Sequence, residues 1–163
     1  MAVIKHIASK NADYTAAERY LIFQHDEKTQ KMLLDGDGYP MIRENYLLEG
    51  IGCDPYNFAA ECRRGNRKYG KNKARREIKT HHYIISFDPE DRDTSGLTLE
   101  RAQELCLAFA REHFPGHQML VYAHDDGHNG SGNFHVHIVL NSLRVKDTES
   151  LPYHMRPCDT RAG

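Results

Sequence analysis

Three histidines in the segment YAHDDGHNGSGNFHVHIVLNS, Tyr122 to Ser142, have the type and spacing to share one divalent cation. One residue separates His135 from His137, so on an extended strand both point to the same side, followed by Val139 and Asn141. Phe134, Val136, Ile138 and Leu140 point to the other side, which is uniformly apolar and should pack against helices. In the preceding stretch, HQMLVYAH, the residues Gln118, Leu120, Tyr122 and His124 likewise fall together. If the two stretches pair antiparallel with His124 opposite His135, Tyr122 lies opposite His137. Cross-strand neighbours stand about 4.5–5.5 Å apart at Cβ, close enough for three imidazoles to converge on one ion. A structural metal uses a closed four-ligand set, whereas three imidazoles leave positions open for substrate, which is a catalytic arrangement.

The elements that must position these rings can be read along the chain. Residues 2–8 read as a strand. Residues 12–24 read as a helix, with Asp13 or Thr15 as its cap and Ala16, Tyr20 and Phe23 at helical spacing. Asp35-Gly36-Asp37-Gly38 is a turn, which implies a hairpin over about residues 31–43. Cys53-Asp54-Pro55 supplies a cap and a proline at the first helical position, opening a helix toward Tyr69. Residues 78–87 form a strong strand pattern, and Thr98 begins a helix that Pro115-Gly116 stops. Strands and helices mix without strict βαβ alternation. That predicts an α+β domain, a central antiparallel sheet of about five strands with helices packed on it.

The totals set bounds. A length of 163 residues suits one domain, and the polar stretch after Leu143 suggests an N-terminal piece of a longer protein. There is no apolar run of about 18 residues, so no membrane insertion is expected. MAVIKHIASK is no signal peptide, and four cysteines without a CxxC pair suggest reduced, cytoplasmic thiols. The formal net charge of −1 argues against a generic nucleic-acid binder, yet the charge is polarised. Arg63, Arg64, Arg67, Lys68, Lys71, Lys73, Arg75, Arg76 and Lys79 crowd one stretch with Glu77 as its one acid. An isolated charge run is usually a solvated face. Beside a metal site it could instead follow a phosphate backbone.

The HVH of residues 135–137, followed by Asn141 and preceded by His124, resembles the histidine–hydrophobe–histidine motif of the HUH endonucleases. More narrowly, it resembles that of relaxases from mobilisable and conjugative elements. AAERYLIFQHDEK around Tyr20, THHYIISF at residues 80–87 and the helix leading into FPGHQ agree with it, so the resemblance covers essentially the whole chain. It implies a ferredoxin- or palm-like sandwich. His124, His135 and His137 match the family's metal ligands and Tyr20 its nucleophile, with His128 an alternative to His124 and Tyr14 an alternative to Tyr20. The resemblance further implies nicking and religation of single-stranded origin-of-transfer DNA through a 5′-phosphotyrosine. Accessory mobilisation proteins and a coupling protein of a type IV secretion system would be the partners. The implied ion is Mn²⁺ or Mg²⁺ in the cell, with Zn²⁺, Ni²⁺ or Co²⁺ also suited to imidazole. Asn141 could orient His137 or contact DNA, and His82 could support a ligand.

These parts suffice for the chemistry. An ordinary tyrosine titrates near 10, so at neutral pH forming its phenolate costs about 4 kcal/mol, which a cation's field or a nearby base must offset. Other readings remain open at this level. A replication initiator would use the same chemistry at a replication origin. A metal-stabilised DNA-binding module would bind through residues 63–79 without cleaving. A histidine-triad hydrolase would need a third alternating histidine, and that position is Val139.

Overall fold

Everything is mounted on one antiparallel sheet. Its strands are β1 (Ala2–Ser9), β2 (Tyr46–Ile51), β3 (Thr80–Phe87), β4 (His117–Asp125) and β5 (Phe134–Arg144), in spatial order β1-β3-β5-β4-β2. A two-residue β6 (Thr160–Arg161) runs parallel to the end of β5. Among the described residues four α-helices accompany the sheet: α1 (Tyr14–Ile22), α2 (Phe58–Tyr69), the short α3 (Pro89–Asp93) and α4 (Leu99–His113). The computed structural model describes residues 2–25, 29, 31–43, 45–125 and 133–145, with the backbone of 160–161. No helix among them is long and apolar enough to cross a membrane.

The pairing of β4 with β5 sets His124 opposite His135 and Tyr122 opposite His137, the register inferred from side-chain alternation. A one-residue slip would turn every histidine into the apolar layer, so the pattern itself fixes the register. On the apolar side, Val136, Ile138 and Leu140 of β5 meet Ala102, Cys106, Leu107 and Ala110 of α4. Those α4 positions recur at helical spacing, and the Thr98 hydroxyl caps the helix by accepting from the Arg101 N–H at 3.1 Å. Each fully buried Val, Leu or Ile in this layer contributes about 1.5–3 kcal/mol.

The histidine side is covered over part of its area by α1 and α2. Leu21, Phe58, Ala59 and Cys62 pack there on Leu120, Tyr122 and Val139. Asp13 is the cap of α1, accepting from the Thr15 N–H at 3.1 Å. α2 ends at Gly70, whose φ of 64° lies in the left-handed region that favours glycine.

Several elements depart from the expected outline. Asp54 caps a short 3-10 turn (Pro55–Asn57) ahead of α2. The expected hairpin is an open ladder of isolated bridges, Phe23 to Ile42, His25 to Met32 and Leu34 to Pro40, closed by the Asp35 carboxylate accepting from the N–H groups of Asp37 and Tyr39. Pro40 cannot donate to a ladder, which keeps it irregular. Neither β2 nor α3 belongs to the outline read from the sequence.

Candidate active site

Two polar clusters divide the histidine side of the sheet, one at each end of β5. At the Asn141 end the groups are amides. Asn141 is fully buried, and its Nδ2 donates to Asn66 Oδ1 at 3.1 Å and Gln118 Oε1 at 3.3 Å. Asn72 Nδ2 donates to Asn66 Oδ1 and Asn141 Oδ1 at 3.2 and 3.3 Å, and the Ser142 hydroxyl donates to Asn72 Oδ1 at 3.1 Å. The Tyr14 hydroxyl belongs to this network. It donates to Asn141 Oδ1 at 3.0 Å and accepts from Asn66 Nδ2 at 2.8 Å. Burial pushes the Tyr14 phenol up to about 12, so it is held neutral. Asn141, expected to orient His137 or meet DNA, is instead committed to this interior network, where a fully buried amide must satisfy all its groups.

At the other end the groups are imidazoles. Nε2 of His124 and Nε2 of His137 face each other at 2.6 Å, and His82 Nε2 lies 2.8 Å from His137 Nδ1. The His124 and His135 rings stack with centroids 5.5 Å apart, and His135 Nδ1 meets the Ser86 hydroxyl at 3.1 Å. Tyr20 stands over the cluster, its ring centroid 6.0 Å from that of His82 and 6.0 Å from that of His137. His25 flanks Tyr20 at 5.1 Å between centroids. Position on one helix explains the arrangement. Tyr14 and Tyr20 sit in the first and second turns of α1, so one phenol reaches the amides and the other the imidazoles.

The electrostatics favour neutral rings. Burial drives the His137 pKa well below its usual value, with the charges of His124, His82 and Arg43 adding to the shift. Burial also pushes His82 down to about 4, with Lys5 contributing. Among the described residues no three His, Cys, Asp or Glu side chains already converge as an ion cage. The donor set nonetheless fits a divalent cation. Nε2 of His124 and Nε2 of His137 face each other at 2.6 Å; both are lone-pair donors, and a small parting of the rings would let each reach one cation at about 2.0–2.1 Å. A bond from His137 Nδ1–H to His82 Nε2 would leave the His137 Nε2 lone pair facing His124. His128, the alternative ligand, lies outside the described residues.

The basic stretch is split by the structure. Arg63, Arg64, Arg67 and Lys68 project from the exposed side of α2, and Lys73, Arg75 and Arg76 are exposed on the loop that follows, while Lys71 is half-buried. Lys79 is different: it is buried, and its Nζ donates to the carbonyls of Ala74 at 2.7 Å and Glu77 at 3.0 Å. It braces the loop from inside, so the expectation of a DNA contact there gives way to a structural role.

Sequence reasoning missed Arg43, Ser86 and His25. Arg43 is buried, and its Nη2 reaches the Tyr20 carbonyl at 3.5 Å, which brings a guanidinium beside the phenol's own backbone. Nothing in the local sequence marks it. Ser86 could have been found, because two-residue alternation from His82 through Ile84 reaches it.

Comparisons with known proteins agree with this architecture. Residues 41–156 match the model of the MobA/VirD2-like relaxase nuclease domain. The chain is also similar to two Staphylococcus aureus proteins named Protein rlx, 32% and 27% identical over 97 residues. That overlap is 60% of this chain but 27% of each relative, so the chain spans about a quarter of the length of the curated relatives it matches. No solved structure matches. With a family match across most of its length, the chain belongs to the MobA/VirD2-like relaxase nuclease-domain family.

Proposed function

We propose that this domain nicks one strand of DNA at an origin of transfer and later rejoins it, by transesterification on Tyr20. The observation that carries the reading is the placement of the half-buried Tyr20 ring 6.0 Å from His82 and from His137, beside the facing pair His124 and His137. Tyr14 shares the helix but is committed to an interior network and held neutral at about 12, which favours Tyr20 as the nucleophile.

In the proposed reaction the Tyr20 phenolic oxygen attacks the scissile phosphorus. The bond to the 3′-oxygen breaks, that oxygen takes up a proton as a free 3′-hydroxyl, and the phenol's proton leaves to a base or to water. One phosphoester replaces another, so the reverse attack by a 3′-hydroxyl reseals the strand without an external energy source. His124, His135 and His137 would hold a divalent ion, which when bound polarises a non-bridging phosphate oxygen and stabilises charge in the transition state. His82 and Ser86 orient two of those rings by hydrogen bonds. The Arg43 guanidinium supplies a fixed positive charge near Tyr20. Exposed basic residues of α2 and the following loop would track the phosphate backbone.

The test is covalent capture. An oligonucleotide carrying the nick site should become attached to the protein at Tyr20 when Mn²⁺ is supplied, and mass spectrometry of the tryptic peptide should locate the adduct. Undiminished attachment in the presence of chelator would remove the metal from the reading. An adduct at any other residue would remove Tyr20.

A further inference from the structure

A cavity of about 210 Å³ opens beside the imidazole cluster, between α1 and the β1–β3 edge of the sheet. Its floor is one cross-strand row, because Ile7 of β1 pairs with His82 of β3, and His82 pairs with Val139 of β5. Its wall is the side of α1 that carries Ala16, Ala17 and Tyr20, and Asn11 and Asp13 line it ahead of the helix. Drug-sized ligands occupy pockets of about 300–1,000 Å³, so this space suits a single ring system. No Lys or Arg lines it, whereas the Asp13 carboxylate does, so an uncompensated phosphate would not enter this mainly apolar crevice. Two π-surfaces, the Tyr20 phenol and the His82 imidazole, line it with centroids 6.0 Å apart, and stacking on such rings is how single-stranded nucleic acid is held without sequence preference.

We propose that this crevice receives one nucleobase of the bound strand, from a nucleotide flanking the phosphate presented to Tyr20. This rests on the DNA-nicking reading and adds a second recognition element to it: exposed arginines take the backbone, the α1 crevice takes a base. A base seated there would hold the neighbouring phosphate beside the phenol, which turns binding energy into positioning.

The experiment measures equilibrium binding by fluorescence anisotropy on a Tyr20→Phe background, which keeps the ring and silences chemistry. Two probes of equal charge are used, an oligothymidylate of about twelve nucleotides and an abasic strand of the same length. Ala16→Leu fills the crevice from the helix side, and Ile7→Phe fills it from the edge strand, where an aromatic residue is well tolerated. Thermal denaturation selects the variants that retain the fold. Either filled variant should weaken oligothymidylate binding by about tenfold and leave the abasic strand unchanged. Equal losses on both probes, or none on either, overturn the proposal. Failure of the nucleophile reading shows separately, as covalent product formed by the Tyr20→Phe protein on a nick-site strand.

Discussion

The two ends of the histidine side differ in what surrounds a phenol, although both phenols come from one helix. Tyr14 is 3% exposed, and its hydroxyl is engaged on both sides by amides from α2 and β5. Tyr20 is half-buried, and its ring is surrounded by His25, His82 and His137. Amides fix a hydroxyl as a neutral donor and acceptor and give it no route to ionise. Imidazoles can accept a proton or bind a cation, which is what the proposed nucleophile would require. On the proposed reading, the environment, and not the residue type, would separate a structural tyrosine from a reactive one.

The sharpest way to break that comparison is to remove each hydroxyl in turn. Tyr20→Phe should abolish covalent attachment to nick-site DNA on a denaturing gel, whereas Tyr14→Phe should retain it. The second variant should instead lose about 1–3 kcal/mol in denaturant unfolding, because buried amides lose a partner. The opposite pattern would exchange the two roles. Next in size is the imidazole support. His82→Gln should weaken metal-dependent attachment by about 10- to 100-fold, read as a rise in the Mn²⁺ concentration needed, while the maximal rate at saturating Mn²⁺ falls less.

A smaller effect distinguishes the phenols by pH. The Tyr14 pKa rises from 10 in the unfolded chain to about 12 in the fold, so its neutral form stabilises the native state below pH 10. Between pH 10 and about 12 the unfolded chain ionises first, and that contribution disappears. The stability of Tyr14→Phe should therefore fall less steeply with pH than wild type across that window; parallel curves would contradict the sealed environment. Smallest is the split within the basic stretch. Neutralising Arg75 and Arg76 should lower single-strand affinity and flatten its dependence on log salt by about 0.7 for each phosphate that is no longer neutralised. Lys79→Met should leave that slope intact and lower the melting temperature.

How much of this was legible in the sequence depends on contact range. The β4–β5 pairing could be read because strict alternation puts histidines and aliphatic residues on opposite sides, so one register satisfies both. The cap and end of α4 could be read for similar local reasons. β2 could not, since YLLEGI lacks alternation and its Gly50 resembles a breaker; the structure uses that glycine because a Cβ there would collide with the Cys53 carbonyl oxygen. The fates of Asn141 and Lys79 were hidden for another reason. Their side chains are polar and charged in any window, and what buries Asn141 comes from α1, α2 and β4 together. The sequence points to His82 as support for a ligand, but its bond to His137 depends on β3 lying next to β5, which no local pattern states.

The amide network also has a temporal meaning. Tyr14 and Asn141 are 127 positions apart, and Asn66 and Tyr14 are 52 apart. Contacts of such separation come late in folding because loop closure precedes any reward. During ribosomal synthesis α1 is made early, yet its docking partners on β5 emerge only near the end of the domain. The phenol proposed as nucleophile is carried by the same helix, so on the proposed reading its placement over the imidazoles would wait for β5 as well.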